Sequence, residues 1–572
     1  MSWSTESCSG TEPGGSGGSS RPGELCRAEL WADRLSLVCF ALLGVVMIAT
    51  LPDYGLTYDE LPHLRLGERV LRFYTGGLVP SASLGRSAYG AGFDLCAALL
   101  RRLSPWDEYR TNHILCVFVA QLGLLGTWKL GRSLAGPLGA LGALLFLVLT
   151  PVYYGHQFNN PKDVPFAVGY IWGLYATAQL LSWSPAPGEP LRTEWRRALG
   201  YALIFGLAMS VRIAGAVLIG YLAGFLLLRG LDAVRLRRSE PLLGALRSLR
   251  SVALLGALSA LASWGVMLVF WPGALSSPVS KPAAALETIS NFTSYDSPTL
   301  LRGEHISSNH VPWDYLPTYF ALQLPELLSL CCFASLLRLC LRSVSCLRRR
   351  TPLPWAWWLV VAAIVVPPVY AIYRHSTLYN GLRHFLFLIP AISVLAGAGL
   401  ARLGAWLARE RPRWALVPAF GFALFALDQL HALWRLHPHQ HVYFNRLAGG
   451  AAAAVGGYET EYYGAVYQEL LAELIERVWA ERRDSYLNQT FLVAGCGSKL
   501  FFTRNLPLNF QYLAMRDAGN ADFYASYVRD DCLRRFRNRP LLLRVERDGA
   551  TLAVARDLKA RPAPKARGGN SP

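Results

Sequence analysis

The stretch Leu35-Ser-Leu-Val-Cys-Phe-Ala-Leu-Leu-Gly-Val-Val-Met-Ile-Ala-Thr-Leu51 carries no charge and runs straight into Pro52-Asp-Tyr54 and then Thr57-Tyr-Asp-Glu60. An apolar run of about 17–25 residues is what a helix needs to cross the hydrocarbon core of a bilayer. No small-residue cleavage site follows, so the run reads as a retained span rather than a signal peptide. Similar runs recur along the 572 residues, at about 110–130, 134–150, 164–183, 198–211, 213–228, 251–271, 316–341, 355–373, 384–401 and 414–434. Hydrophobic residues make up 53% of the chain and charged residues 16%, whereas a soluble domain carries about 25% charged residues. The reading is an all-α polytopic membrane protein of about eleven transmembrane helices, followed by a small C-terminal extracytoplasmic α/β domain.

The net charge of +18 would suggest nucleic acid in a soluble protein, but here the arginines lie mostly between apolar runs. Basic loops of that kind set orientation and meet anionic headgroups. No nucleic-acid partner is expected, because no basic cluster is interleaved with aromatic residues on a soluble segment. With the N-terminus inside, the most basic short loops, such as Arg235 to Arg250 and Arg338 to Arg350, all fall on one side. That sidedness requires Tyr201 to Arg229 to be two short spans with a turn near Ser210-Val-Arg212. Residues 53–109, 151–163, 273–315 and 374–383 then lie outside, and the chain leaves the membrane near His437.

The domain reading is a disordered cytoplasmic N-terminus over 1–34, a membrane domain over 35–437, a small α/β domain over 438–556 and a disordered tail over 557–572. In the α/β part, Tyr467 to Trp479 reads as a helix, Phe491 to Ala494 as a strand, and Leu541 to Val554 as a hairpin turning at Asp548-Gly549. Of the 11 cysteines, none lies in a metal-binding spacing. Cys496 and Cys532 would pair if their domain lies outside the cytoplasm, and sequence alone leaves this open. Two glycosylation-type sequons, Asn291-Phe-Thr293 and Asn488-Gln-Thr490, fall on the outside.

Three outside loops concentrate ionisable residues. Thr57-x-x-Glu60 has the form of a capping box, opening an amphipathic interfacial helix over Glu60 to Gly76. A helix cap and a functional Asp59 are compatible, since a capped start holds its residues rigidly. His63 lies one turn beyond Asp59, but a lone His/Asp pair is weak support for a metal. Asn160-Pro161 reads as another helix start, which explains neither Lys162 nor Asp163 at the membrane boundary; charges there are functional candidates. The loop Arg374 to His384 is basic although it lies outside. Arg374 and Arg383 would suit a phosphate, which arginine binds through paired hydrogen bonds, or else snorkel to headgroups.

Six segments together give the chain a family likeness: Thr57-Tyr-Asp-Glu-x-x-His63, Asn160-Pro-Lys-Asp-Val-Pro-Phe166, Pro312-Trp-x-Tyr-Leu-Pro317, Tyr379-Asn-Gly-Leu-Arg-His-Phe-Leu-Phe387, His437-Pro-x-Gln-x-x-Tyr-Phe-Asn445 and Tyr458-Glu-Thr-Glu-Tyr-Tyr-Gly464. In order and sidedness they resemble the GT-C polytopic glycosyltransferases, in the branch of the lipid A aminoarabinose transferases and protein O-mannosyltransferases. One departure is Glu461-Tyr-Tyr463, where bacterial relatives show Asp-Tyr-Trp, so the resemblance assigns that segment no role. It implies a polyprenyl-phosphate sugar donor, a hydroxyl acceptor on a lipid, glycan or protein, and inversion at the anomeric carbon. It further implies a bacterial plasma-membrane location with the active site facing outside.

On this likeness Asp59 is the expected general base, with Glu60 and Asp163 as further catalytic candidates. Lys162, Arg374, Arg383 and His384 are the candidates for the donor phosphate, and His63 is a further site candidate. Relatives differ in metal use, and the spacing here supports no obligatory metal or other cofactor. The rival reading is a transporter or flippase of a lipid-linked or anionic substrate. It would place charges at mid-membrane in broken helices and often show repeats, and Arg212 is the residue it would claim.

Overall fold

A computed structural model of the chain describes residues 22–77, 89–183, 191–236, 242–290, 296–483 and 486–560. The expectations of disorder before Pro22 and after Ala560, and the sequon at Asn291, lie outside these residues. Among the described residues nine helices are long and apolar enough to cross a membrane. One of them, Glu108–Val148, has 41 residues, about 60 Å of helix and twice the bilayer core. It is broken at Gly136, whose φ of 73° and ψ of −176° are not helical. A Cβ on Gly131 would lie 3.1 Å from Cα of Ala140, so the chain folds back on itself there and makes two spans. Leu191–Val211 accounts for the remaining expected span.

The reversal expected near Arg212 is present. Arg212 is extended, at φ −142° and ψ 127°, between Leu191–Val211 and the turn Ile213–Ala216 that leads into Val217–Arg235. Both neighbours of the turn pack along the start of Asp163–Ser182, with Gly169 against Ala208 and Gly173 against Leu218. Two boundaries differ from expectation. The span placed at 316–341 is two helices, Tyr315–Gln323 and Glu326–Arg349, because Pro325 cannot continue the hydrogen-bond ladder. The first helix begins at Pro22, so residues 22–34 are helical rather than disordered, as a proline in the first turn permits. The Asp33–Arg132 pair, at 2.9 Å, ties this end to Glu108–Val148.

The helix expected after Thr57 spans Glu60–Tyr74 and buries Leu64, Gly67, Val70 and Leu71. It packs on Gly92–Leu103 so closely that a Cβ on Gly67 would sit 2.1 Å from the Asp94 carbonyl oxygen. The C-terminal part forms a mixed five-stranded sheet in the order Phe510–Leu513, Phe491–Gly495, Phe523–Tyr527, Ala550–Asp557, Leu541–Arg547. The first three strands are parallel and the last two join antiparallel. The helix Tyr467–Glu481 covers this sheet. Within this sheet Phe510–Leu513 and Phe523–Tyr527 were not anticipated: the first has only four residues, and the second is buried at every position and so shows no alternation.

Cys496 and Cys532 form a disulfide. Replacing both with serine is expected to lower the stability of this part by about 2–5 kcal/mol. Thermal unfolding with and without reductant checks this: reductant should shift the wild-type protein and leave the double variant unmoved.

Candidate active site

Thr57 to Glu60 forms half of the expected capping box. The Glu60 carboxylate accepts the Thr57 N–H at 2.8 Å, the reciprocal arm of the motif. The Thr57 hydroxyl does not cap its own helix; it lies 3.0 Å from the Asn159 carbonyl oxygen and 3.2 Å from Glu60 Oε1. Asn159 in turn donates to the Gly55 carbonyl at 2.8 Å. The loop before Glu60 is thereby pinned to the loop before Asp163. The other oxygen of Glu60 meets His113 Nε2 at 2.9 Å, so the contacts of Glu60 hold the turn that presents Asp59.

Asn160 starts the next helix. Its side-chain oxygen accepts from the backbone N–H of Lys162 at 3.2 Å and of Asp163 at 2.8 Å, which satisfies donors a helix start leaves open. Capping is thus done by Asn160, and the charged side chains of Lys162 and Asp163 are left for other partners. Lys162 Nζ lies 3.2 Å from Asp59 Oδ2, and Asp163 Oδ1 lies 2.6 Å from Arg212 Nη1.

Arg383 completes the group, with Nη1 3.3 Å from Asp59 Oδ2 and Nε 3.6 Å from Asp163 Oδ2. Its loop explains two sequence motifs. Asn380 and Gly381 are left-handed, at φ 59° and 60°, which Asn tolerates and Gly favours. The Tyr315 hydroxyl accepts the Gly381 N–H at 3.1 Å, and Gln323 accepts that of Leu382 at 3.1 Å. A Cβ on Gly381 would be 2.8 Å from the Gln323 side-chain oxygen. Gly381→Ala is therefore expected to cost about 1–3 kcal/mol of stability and to lower activity by displacing Arg383, checked by thermal unfolding beside a sugar-transfer assay.

The segment that carried no assigned role reaches the centre. The Tyr463 hydroxyl donates to Asp59 Oδ2 at 3.3 Å, and the Tyr463 carbonyl accepts the Tyr58 N–H at 3.2 Å. Glu461 shapes this turn: its Oε1 accepts from the N–H of Tyr463 and Gly464 at 2.9 and 2.7 Å, and its Oε2 meets His441 Nε2 at 2.8 Å. Burial would raise the Glu461 carboxyl, but His441 and these donors bring it to about 2, so it stays an anion. Burial, and then the Asp59 charge, push the Tyr463 phenol up, so it remains a donor.

Three cations, Lys162, Arg212 and Arg383, therefore surround two carboxylates, Asp59 and Asp163. Asp59 retains 20% exposure while Lys162 and Arg383 keep 7% and 4%. Burial alone would raise the Asp59 carboxyl; Arg383, Lys162 and then His63 overcome it and hold it far below the ordinary carboxylate value. Burial would lower Lys162, but Asp59 and Asp163 reverse this and raise it. The group is fully ionised at neutral pH, with one positive charge in excess. Both carboxylates are engaged by cations, a donor set that does not suit a divalent metal. Among the described residues no three His, Cys, Asp or Glu side chains gather as a metal site.

Beside this cluster lies an open, largely apolar cavity of about 490 Å³, lined by Tyr89, Arg212, Tyr379 and His384 along with Phe166 and Phe387. Lys162 and Arg212 both lie over the Tyr89 ring, at 5.8 Å each, and Arg383 lies 5.7 Å from Tyr379. The cavity thus opens onto the excess positive charge. Of the residues singled out in sequence, Asp59, Lys162, Asp163 and Arg383 meet in the cluster, and His384 lines the cavity. His63 pairs with Asp94 at 3.0 Å. Arg374 is exposed at the end of Trp355–Tyr373. Arg212, Tyr463, Glu461 and Asp94 were not anticipated in the site.

Residues 107–255 match the family model described as dolichyl-phosphate-mannose-protein mannosyltransferase. No curated protein matches the chain. The archaeal oligosaccharyltransferase AglB from Archaeoglobus fulgidus, solved with an inhibitory peptide and a dolichol-phosphate, superposes with a TM-score of 0.50 at 14% identity over 87% of this chain and 69% of its own. ArnT from Cupriavidus metallidurans, solved with undecaprenyl phosphate, gives a TM-score of 0.45 at 15% identity over 91% of this chain and 97% of its own. The mycobacterial arabinofuranosyltransferase AftD gives 0.39 at 12% identity over 92% of this chain and 40% of its own.

Proposed function

Because residues 107–255 match the dolichyl-phosphate-mannose-protein mannosyltransferase model and the fold superposes on AglB, we propose that the chain is a multi-pass membrane glycosyltransferase of the GT-C superfamily that moves a sugar from a polyprenyl-phosphate donor to a hydroxyl on a lipid, glycan or protein. The observation that carries this is the Asp59–Lys162–Arg383 group, held together by contacts of 3.2 and 3.3 Å, joined through Asp163 to Arg212, which lines the apolar cavity. The cavity suits an isoprenoid chain, and the excess cation suits its phosphate. AglB was solved with a dolichol-phosphate.

The chemistry follows from what each end of the bond needs. An acceptor hydroxyl has a high pKa and must lose its proton as it attacks the anomeric carbon. Asp59 takes that proton, and the sugar configuration inverts in the single displacement. The leaving group is a phosphate monoester, which needs positive charge on its oxygens rather than a strong acid. Lys162, Arg383 and Arg212 supply that charge, with His384 beside the cavity. Asp163 holds Arg212 and Arg383 in place, and Glu60 holds the turn bearing Asp59.

Between Lys162 and Arg383, Asp59 is stabilised as an ion and is a weak base. A donor phosphate draws Lys162 and Arg383 toward itself and adds negative charge nearby, which raises the basicity of Asp59. Donor binding thus readies the base before the acceptor reacts. The Cys496–Cys532 disulfide supports placing this side in an oxidising compartment, the outer face of a bacterial plasma membrane. A transporter reading loses its main support, because Arg212 is paired to Asp163 within the same cluster.

The direct test compares cell-envelope glycans and lipids by mass spectrometry with and without the gene. Loss of one sugar modification is the expected result and names donor and acceptor together; an unchanged envelope in cells that normally make the protein would count against the proposal.

A further inference from the structure

At the far end of the membrane helices from Asp59 lies a second cavity of about 470 Å³, walled by Arg338, Arg342, Arg402, Trp357 and Ser335. Arg402 and Arg383 belong to one continuous helical span, Arg383–Glu410. The 19 positions between them correspond to about 28 Å along a helix, so this cavity opens at the opposite membrane surface. Arg402 stacks on the Trp357 ring at 4.3 Å. Among the described residues, no carboxylate pairs with Arg338, Arg342 or Arg402. The nearest acid in the adjoining cavity wall is Asp232. Its oxygens are occupied by Arg235 at 2.7 Å, the Leu353 N–H at 2.9 Å and Trp355 Nε1 at 3.2 Å.

The arginines are continuous with a groove. A further space of about 590 Å³ shares Arg338, Arg402 and Ser335, and runs along Leu330, Leu337, Trp406 and Phe422 on lipid-facing helix surfaces. Its lining is almost entirely apolar apart from the shared residues. Three unpaired guanidiniums at the mouth of an apolar groove combine charge for a phosphate with a track for an acyl chain. Basic pockets between transmembrane helices are suited to anionic headgroups. A donor lipid for sugar transfer belongs to the other surface, beside Asp59.

We propose that Arg338, Arg342 and Arg402 form a binding site for an anionic phospholipid of the leaflet remote from the sugar-transfer site, with an acyl chain in the adjoining groove. The site holds the Glu326–Arg349, Trp355–Tyr373 and Arg383–Glu410 helices together where like charges would otherwise push them apart.

The test is native mass spectrometry of the purified full chain titrated with dioleoyl-phosphatidylglycerol or dioleoyl-phosphatidylcholine. The wild-type protein should bind the anionic lipid at least tenfold more tightly. Arg338→Gln with Arg402→Gln should remove that preference, while Arg348→Gln, Arg349→Gln and Arg350→Gln together, equally basic but outside the cavity, should keep it. A Cβ on Gly421 meets nothing within 4 Å, and Gly421 lines the groove. Gly421→Phe should therefore weaken phosphatidylglycerol binding with every arginine in place, which covers the case of a misfolded charge variant. Unchanged binding in the Arg338/Arg402 variant, or equal loss in the 348–350 variant, would overturn the site. Displacement of the lipid by millimolar inorganic phosphate, or indifference to Gly421→Phe, would show a plain anion site without the acyl groove and overturn the lipid assignment.

Discussion

Asp59→Asn is expected to abolish sugar transfer, lowering kcat by about 10²–10⁴-fold, the range a lost general base produces. The substitution keeps the shape of the side chain and an oxygen to accept from Tyr463, now 3.3 Å away. It removes a negative charge from between Lys162 and Arg383. Those cations then face a donor phosphate with less competition, so the donor KM should stay level or fall while kcat collapses. A variant that had merely misfolded would lose both. The sign of the pH effect also follows. Asp59 is held below an ordinary carboxylate, whose unfolded value is about 3.9. Its ion pairs are therefore intact above about pH 4 and are lost only as pH falls through the lower folded value. Asp59 should give kcat/KM no acid limb between pH 5 and 8. The acid limb of kcat, which reports the donor complex, should lie at higher pH, because the bound phosphate raises the carboxylate.

Arg383→Ala should show the opposite split. Its guanidinium faces both Asp59 and Asp163 and is 4% exposed, and among these cations it alone touches both carboxylates. Removing it takes away a charge that the leaving phosphate needs as the bond breaks, a loss of about 3–4 kcal/mol at the barrier or roughly 10²–10³-fold in kcat/KM for the donor. Arg383→Lys restores charge without the planar fork and should recover part of that. Steady-state kinetics with varied donor separates the cases. Unchanged donor saturation in the alanine variant would remove Arg383 from the phosphate site. A companion Arg374→Ala variant is the internal contrast: Arg374 is exposed at a helix end, so its loss should matter far less.

Much of the site was legible because its residues sit beside helix starts. Apolar runs placed the spans, and Thr57, Asn160 and Pro161 marked where helices begin, which put Asp59, Lys162 and Asp163 at one membrane surface. What stayed hidden depends on tertiary approach. Arg212 reads locally as a turn between two short spans, and only packing of that turn on Asp163–Ser182 brings it to Asp163. Tyr463 lies 404 positions from Asp59, and no periodicity reports such a contact. Asp94 is brought to His63 by the close contact at Gly67. The reversal at Gly136 was legible as two apolar runs, whereas the break at Pro325 was masked by hydrophobic residues on both sides.

Sugar transfer and lipid flipping differ in the fate of one bond, the one between the sugar and the phosphate. The purified chain, reconstituted with a polyprenyl-phosphate sugar donor and the acceptor found by envelope analysis, should release free polyprenyl phosphate in equal amount to sugar on the acceptor. Movement of the intact lipid-linked sugar across the bilayer with no polyprenyl phosphate released would contradict the account.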